Sequence, residues 1–108
     1  MPFEVLLTAD AVGDLEDIVE WVATHDAPAR AAHVLERIEE SVLALARFPE
    51  RGAHPRELLE LGIHDYRQTF FKPYRIIYRI DGRRVYVYLI ADGRRDMRTL
   101  LERRLLGA

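Results

Sequence analysis

The chain has 108 residues, of which 49% are hydrophobic and 31% charged, a composition typical of one globular domain and too apolar for a disordered segment. It contains no cysteine, which excludes disulfides, thiolate nucleophiles and cysteine-ligated metal centres. No apolar run approaches the ~20 residues of a membrane-spanning helix, and the N-terminus lacks the basic region of a signal peptide. We therefore expect a cytoplasmic protein with no membrane partner.

The net charge of −2 is the sum of two unequal halves. Residues 1–54 carry eleven acidic and four basic side chains, a balance of −7, and residues 55–108 carry seven acidic and twelve basic ones, a balance of +5. Lys72 is the only lysine among the sixteen cations, and arginine is the side chain best suited to bind carboxylates and phosphates. The second half is therefore predicted either to bind an anionic partner or to complement the first half within one fold.

The first half of the chain predicts a strand followed by two helices. Residues 3–8 form a short apolar run typical of a strand. Apolar residues at spacings of three and four predict a first helix, capped by Thr8 or Asp10 and ending near residues 24–26. A second start signal at Asp26-Ala27-Pro28 opens a long amphipathic helix that Pro49 should end. Its predicted core positions are Ala31, Val34, Leu35, Ile38, Val42, Leu45 and Phe48.

The second half predicts a meander of strands and a last helix. Residues 49–62 indicate a loop with one helical turn, and strands are expected over 63–71, 74–80 and 84–91. Asp81-Gly82 is a strong hairpin signal, and Lys72-Pro73 should separate the first two strands. Apolar residues from Met97 to Leu105 predict a C-terminal helix. The order β-α-α-β-β-β-α predicts one α+β domain over residues 1–108, with a helical hairpin and a C-terminal helix packed on a small, mainly antiparallel sheet.

Few residues carry recognisable catalytic chemistry. The chain lacks glycine-rich phosphate-binding motifs and a nucleophilic serine motif, and its four histidines lack the spacing of metal ligands. We expect neither a metal nor a cofactor. Trp21 is predicted to pack on a helix face. The carboxylates of the first helix are predicted to form a solvated surface because like charges at this spacing repel one another; they are Asp10, Asp14, Asp17 and Glu20.

The arginines are the most informative group. Strand alternation places Tyr74, Ile76, Tyr78 and Ile80 on one face of the sheet, and Arg75, Ile77 and Arg79 on the other. An arginine in the middle of a sheet needs an anion or water, so the second face is expected to be partly uncovered near Arg75. The predicted partner-binding residues, expected to form one cleft for a phosphate or for acidic side chains, are Arg67, Arg75, Arg79, Arg94, Arg95 and Arg98. The alternative is internal ion pairing to Glu57, Glu60, Asp65 or Asp96.

Four segments, in order, resemble the RelE/ParE superfamily of toxins from bacterial type II toxin–antitoxin modules. They are VLLTADAVGDLEDIVEW, FPERG, PYRIIYRIDGRRVYVYLIADGRRD and LLERRL, and together they extend over nearly the whole chain. The resemblance implies a toxin that inhibits growth, stabilises plasmids and is neutralised by a cognate antitoxin. It also implies an antitoxin segment that folds on binding, with acidic residues for Arg75, Arg79, Arg94 or Arg95 and apolar anchors for the helical hairpin.

The superfamily divides by target. RelE-type members resemble ribosome-dependent messenger ribonucleases, and Arg75 and Arg95 match two of their site arginines. The chain departs from that type at Tyr66 and Gln68, where lysines are usual, at Leu101, where a tyrosine is usual, and at Asp92-Gly93, where some members have a histidine. Arginine is a poor base, and only His64 and Tyr66 remain as substitutes for proton transfer.

The long hairpin also resembles ParE-type members, which are held to poison DNA gyrase. We therefore expect a non-enzymatic gyrase inhibitor that does not itself bind DNA. The alternative is a ribonuclease with Arg75 and Arg95 as its catalytic arginines.

Overall fold

Apolar and β-branched runs build a four-stranded sheet in the computed structural model, which describes residues 2–107. The strands are β1 (Glu4–Leu7), β2 (Tyr66–Phe71), β3 (Tyr74–Asp81) and β4 (Arg84–Asp92). Their order is β1-β4-β3-β2; β1 runs parallel to β4, and the other neighbours are antiparallel. The predicted α+β class and element order are confirmed.

The predicted helical hairpin consists of α1 (Ala9–His25) and α2 (Pro28–Ala44). The Thr8 hydroxyl caps α1 by accepting a hydrogen bond from the backbone of Ala11 at 3.2 Å, and Pro28 occupies the first position of α2. Of the core positions expected for the second helix, those within α2 are buried except for the half-buried Leu35; beyond its end, Leu45 is buried and Phe48 is 51% exposed.

The predicted end of α2 at Pro49 is wrong by four residues. After Ala44 the backbone N–H groups of residues 45–47 bond to carbonyls three positions earlier, which tightens the chain into turns. The Ala46 carbonyl accepts a hydrogen bond from the backbone of Phe3 at 2.7 Å, so it is joined to the segment before β1. The chain leaves the helix at these turns, and Phe48 lies outside the core.

The sheet has a hydrophobic core on each face. Residues of the hairpin pack on the face that carries Ile76, Tyr78, Val87 and Ile90. On the other face, α3 (Arg56–Leu59) and α4 (Met97–Leu106) pack around Ile77. The predicted alternation of β3 is therefore confirmed.

The segment before β2 differs from the predicted strand over 63–71. A 3₁₀ turn at Pro49–Arg51 precedes α3, and Ile63 donates its backbone N–H to the Leu58 carbonyl at 2.9 Å. Residues 63–65 therefore close the turn after α3 rather than extend the sheet. Within residues 2–107, every helix is too short or too polar to cross a bilayer.

Candidate functional site

Arg75, in the middle of the sheet, is held in an internal ion pair. Its Nη1 and Nη2 donate to the two carboxylate oxygens of Glu57 at 2.8 and 2.9 Å, and its Nε donates to Oε1 of Gln68 at 2.9 Å. Only 13% of the Arg75 side chain is exposed. Both edges of the guanidinium that could bind a phosphate through two hydrogen bonds are therefore occupied by side chains of the same molecule.

Charge neutralisation and close packing both make Arg75 inaccessible to an outside anion. The hydrogen bond from Arg75 lowers the pKa of Glu57 from 4.5 to about 2, so the carboxylate stays ionised at neutral pH and neutralises the arginine. On the other side, a Cβ added at Gly93 would lie 2.8 Å from Cδ of Arg75, so the arginine stem packs against that backbone. The expectation of an uncovered sheet face near Arg75 is wrong, because α3 brings Glu57 onto it.

The remaining predicted arginines do not converge on one cleft. Arg67 donates to two backbone carbonyls near the 3₁₀ turn, at 3.0 and 2.9 Å. Arg79 lies exposed over the ring of Tyr66, 5.8 Å from its centre. Arg98 forms exposed ion pairs with Glu60 and Glu102. The single arginine cleft predicted from the sequence is therefore wrong, and only Arg94 and Arg95 share a cavity.

That cavity is a cleft of about 450 Å³ between α1 and the end of β4. Ile18, Tyr74 and Ile90 give it apolar walls, and Trp21 stands at its edge with 60% of its surface exposed. The charged lining residues are Asp14, Asp17, Asp92, Arg94 and Arg95. The cleft therefore combines apolar walls with charges of both signs.

Internal contacts neutralise much of this charge. Arg94 donates from Nε and Nη2 to the Asp92 carboxylate at 3.0 and 2.6 Å, and these hydrogen bonds lower the pKa of Asp92. Burial raises the pKa of the Tyr74 hydroxyl, which therefore stays protonated at neutral pH. The backbone N–H of Arg95 donates to the Asp92 carbonyl at 3.1 Å, whereas its exposed side chain has no hydrogen-bond or ion-pair partner among residues 2–107 and interacts with the Asp92 carboxylate only through longer-range electrostatics.

Asp14 contradicts the prediction of a solvated acidic face. Arg104 of α4 grips its carboxylate with two hydrogen bonds of 2.8 and 2.9 Å, and the backbone N–H of Ile90 donates to it at 3.0 Å. Arg104 also donates to the Tyr88 carbonyl at 2.8 Å. Strand β1 pairs with β4 only as far as Val87, so these side chains satisfy β4 backbone groups that β1 does not reach.

Trp21 contradicts the prediction of a packed helix-face residue. Its ring stacks on His25 one turn later, with centroids 4.3 Å apart and planes 11° apart, and otherwise faces outward at the cleft. Helical periodicity could not reveal this, because Trp21 directly precedes the buried Val22 and lies at the border of the apolar stripe.

His54, His64 and Tyr66 lie away from Arg75. Nδ1 of His54 lies 2.9 Å from the Tyr66 carbonyl oxygen. The centre of the His64 ring is 6.5 Å from the centre of the His54 ring. Tyr66 is the first residue of β2, whereas Arg75 pairs with Phe70, four residues further along the strand. At about 3.3 Å per residue, Tyr66 and Phe70 are about 13 Å apart along β2. No group of three or more side chains within residues 2–107 is arranged to hold a metal ion.

A family model and a curated relative point to the same family. Residues 5–97 match the family described as the ParE toxin of the type II toxin–antitoxin system parDE. Toxin ParE3 of Caulobacter vibrioides is 30% identical over 93 residues, which are 86% of this chain and 89% of that protein.

Two solved structures share the fold. One is the chromosomal ParDE toxin–antitoxin system from P. aeruginosa, with a TM-score of 0.71 and 22% identity over 83% of this chain and 95% of that one. The other is the toxin–antitoxin complex RelBE2 from Mycobacterium tuberculosis, with a TM-score of 0.62 and 25% identity over 85% of this chain and 99% of that one.

Proposed function

This chain belongs to the ParE toxin family of type II toxin–antitoxin systems, and on that premise we propose that it arrests growth by inhibiting DNA gyrase. A cognate antitoxin neutralises it, the pair acts in the cytoplasm, and loss of the antitoxin gives the pair its plasmid-stabilising effect. The similarity to Toxin ParE3 and to the ParDE and RelBE2 assemblies supports the antitoxin partner.

The state of Arg75 is the observation that favours an inhibitor over a ribonuclease. RNA cleavage needs a free cation at the phosphate and groups that accept and donate protons. Arg75 is already bound by Glu57 and Gln68, and His54 and His64 lie near the opposite end of β2. An RNA phosphate would have to displace a carboxylate that makes two hydrogen bonds to the arginine.

The similarity to RelBE2 makes a ribonuclease the second candidate function. Purified protein distinguishes the two in parallel assays. In the first, gyrase, supercoiled DNA and ATP are incubated with the toxin, and we expect loss of supercoiling activity or accumulation of cleaved DNA. In the second, the toxin is added to translating ribosomes, and primer extension should detect no new transcript ends. Codon-linked cleavage with unaffected gyrase would refute the proposal.

Expression in cells supplies the second test. Induction of the chain alone should trigger the DNA-damage response before protein synthesis falls, and co-expression of the adjacent antitoxin gene should restore growth. An early stop of translation without DNA damage would contradict the gyrase target. Growth that is unaffected by the chain alone would contradict toxicity itself.

A further inference from the structure

A cluster of four arginines and two phenylalanines lies where the end of α2 meets the start of β1. Its members come from four separated parts of the chain, and two of the arginines and both rings line a depression of about 370 Å³. Among residues 2–107, Glu50 contributes the one carboxylate that lines this depression. We call the cluster the arginine patch; it consists of Phe3, Arg47, Phe48, Arg51, Arg67 and Arg83.

Backbone hydrogen bonds bring the parts of the arginine patch together. The N–H of Phe3 donates to the Ala46 carbonyl at 2.7 Å, and the N–H of Glu4 donates to the Arg83 carbonyl at 2.9 Å. The start of β1 therefore lies between residues 46–47 and residue 83, which places these two segments about 10 Å apart at about 4.8 Å per strand spacing. Arg67 reaches the patch from β2 through its two hydrogen bonds to carbonyls near the 3₁₀ turn.

Ion pairs do not neutralise the positive charge of the patch. Seven arginines elsewhere in residues 2–107 form ion pairs with carboxylates. In the patch, Arg67 donates to carbonyls, and the guanidinium of Arg51 lies 3.8 Å from the centre of the Phe48 ring. Arg47 is exposed and has no ion-pair partner within the described chain. Because carbonyls and rings carry no net charge, at least three cations face the single carboxylate of Glu50.

The phosphates of a nucleic acid match this patch better than the carboxylates of a protein. A guanidinium binds phosphate oxygens through two hydrogen bonds, and stacking on Phe48 already restrains Arg51, so less side-chain freedom is lost on binding. A DNA strand presents one negative charge about every 3.4 Å, so several phosphates fall within the width of the patch. Carboxylates on protein surfaces are instead interspersed with cations, which a patch of one sign repels.

We propose that the arginine patch contacts the phosphate backbone of the DNA that gyrase holds, through Arg47 and Arg51, so that the toxin binds the gyrase–DNA complex more tightly than gyrase alone. This inference rests on the proposed gyrase inhibition, and it adds DNA to the surface that the toxin recognises. So few phosphate contacts hold free DNA only weakly at physiological salt, and the proposal therefore requires no binding of DNA by the toxin alone.

The salt dependence of binding tests the proposal on the parent protein. Fluorescently labelled toxin is titrated with gyrase alone and with gyrase bound to duplex DNA, at several salt concentrations. We expect about tenfold tighter binding when DNA is present at low salt, and this advantage should shrink as salt rises, because each contacted phosphate adds about 0.9 to the slope of log K against log salt. An absent advantage, or one that salt leaves unchanged, would overturn the proposal.

A double variant assigns the effect to the patch. The substitutions Arg47→Gln and Arg51→Gln together should abolish most of the DNA-dependent advantage and reduce the salt slope by about 1.8, since two phosphate contacts are lost. Both side chains are exposed, so the melting temperature should match that of the parent protein. Lysine at both positions keeps the charge and should keep most of the advantage. Retention of the full advantage by the glutamine variant would refute the assignment.

The matched control removes the same charge elsewhere. Arg30, in the first turn of α2, and Arg103, on α4, are exposed and lie outside the patch. The double variant Arg30→Gln with Arg103→Gln should keep the DNA-dependent advantage and the salt slope of the parent. Equal losses in the patch and control variants would show an effect of net charge alone and would overturn the proposal.

The two gyrase states separate this inference from the proposed function. If the patch variant loses as much affinity for gyrase alone as for gyrase with DNA, the patch binds an acidic surface of the enzyme, which overturns the proposal. If the parent toxin inhibits gyrase without any DNA-dependent advantage, this inference fails and the proposed function stands. If the parent toxin binds gyrase in neither state and leaves supercoiling unaffected, both fail.

Discussion

Replacement of Glu57 with glutamine removes the charge that holds Arg75 while preserving the size of the side chain. The folded protein lowers the pKa of Glu57 from 4.5 to about 2, a difference of about 2.5. At about 1.4 kcal/mol per pKa unit, the ionised carboxylate would contribute about 3 kcal/mol to folding. Because 22% of the Glu57 side chain is exposed, water weakens the pair, and we expect Glu57→Gln to lose about 2 kcal/mol at pH 7.

The pH dependence of this loss has a definite sign. A carboxyl group with a lowered folded pKa contributes its full stability above the unfolded value of 4.5 and loses it as the pH falls toward about 2. The difference in unfolding free energy between parent and Glu57→Gln should therefore be constant from pH 8 to about 5.5 and then shrink. Other acidic groups titrate in both proteins and cancel from the difference.

Urea unfolding followed by circular dichroism at pH 7, 5, 4 and 3 measures this difference. Glu60→Gln is the matched control, because Glu60 follows α3 directly and its ion pairs with Arg56 and Arg98 are exposed. That variant should stay within about 0.5 kcal/mol of the parent. A Glu57→Gln loss below about 0.5 kcal/mol at pH 7, or a loss that persists unchanged at pH 3, would refute the reasoning.

Three further tests by thermal or urea unfolding address contacts elsewhere. Gly52→Ala should lower the unfolding free energy by about 2 kcal/mol, because the added Cβ would lie 2.6 Å from a backbone oxygen of β2. Gly13→Ala is the control: its Cβ would have no atom within 4 Å, and it should stabilise α1 by about 0.5–1 kcal/mol. Equal effects of the two substitutions would contradict the steric argument. Tyr78→Phe should cost about 1–2 kcal/mol by leaving a buried carbonyl acceptor unpaired, and a neutral result would show that water replaces the hydroxyl. Arg104→Met should lower the unfolding free energy by about 3 kcal/mol, because the Asp14 carboxylate would be left without its cation. The additional substitution Asp14→Leu should recover part of the lost stability. No recovery would argue against the unpaired charge as the cause of the loss.

Local patterns predicted most of the fold because they were long and consistent. The period of the apolar residues defined α1 and α2, and the alternation of β3 assigned its side chains to the correct faces. Thr8 and Asp10 were both predicted as possible caps of α1, and the Thr8 hydroxyl is the one that caps it. The end of α2 was not predicted, and the chain just after it bonds to the distant residue 3, a contact that no local pattern records.

The candidate site was less predictable because its chemistry depends on contacts between distant segments. Spacing alone placed Arg75 on a sheet face, but only the folded chain shows that Glu57 covers it from 18 positions away. The same holds for Asp14, whose partner Arg104 lies 90 positions along the chain. Glu57 was among the internal partners considered from the sequence, whereas Arg104 was not considered at all.

The Asp14–Arg104 contact ties α1 to α4 across the edge of β4 that β1 leaves open. Removal of α4 would leave the carboxylate of Asp14 without its cation and the Tyr88 carbonyl without its donor. The amide of Ile90, which donates to Asp14, should then exchange its proton with solvent faster than in the parent protein. Local opening of this edge would thus be controlled by a helix distant in sequence.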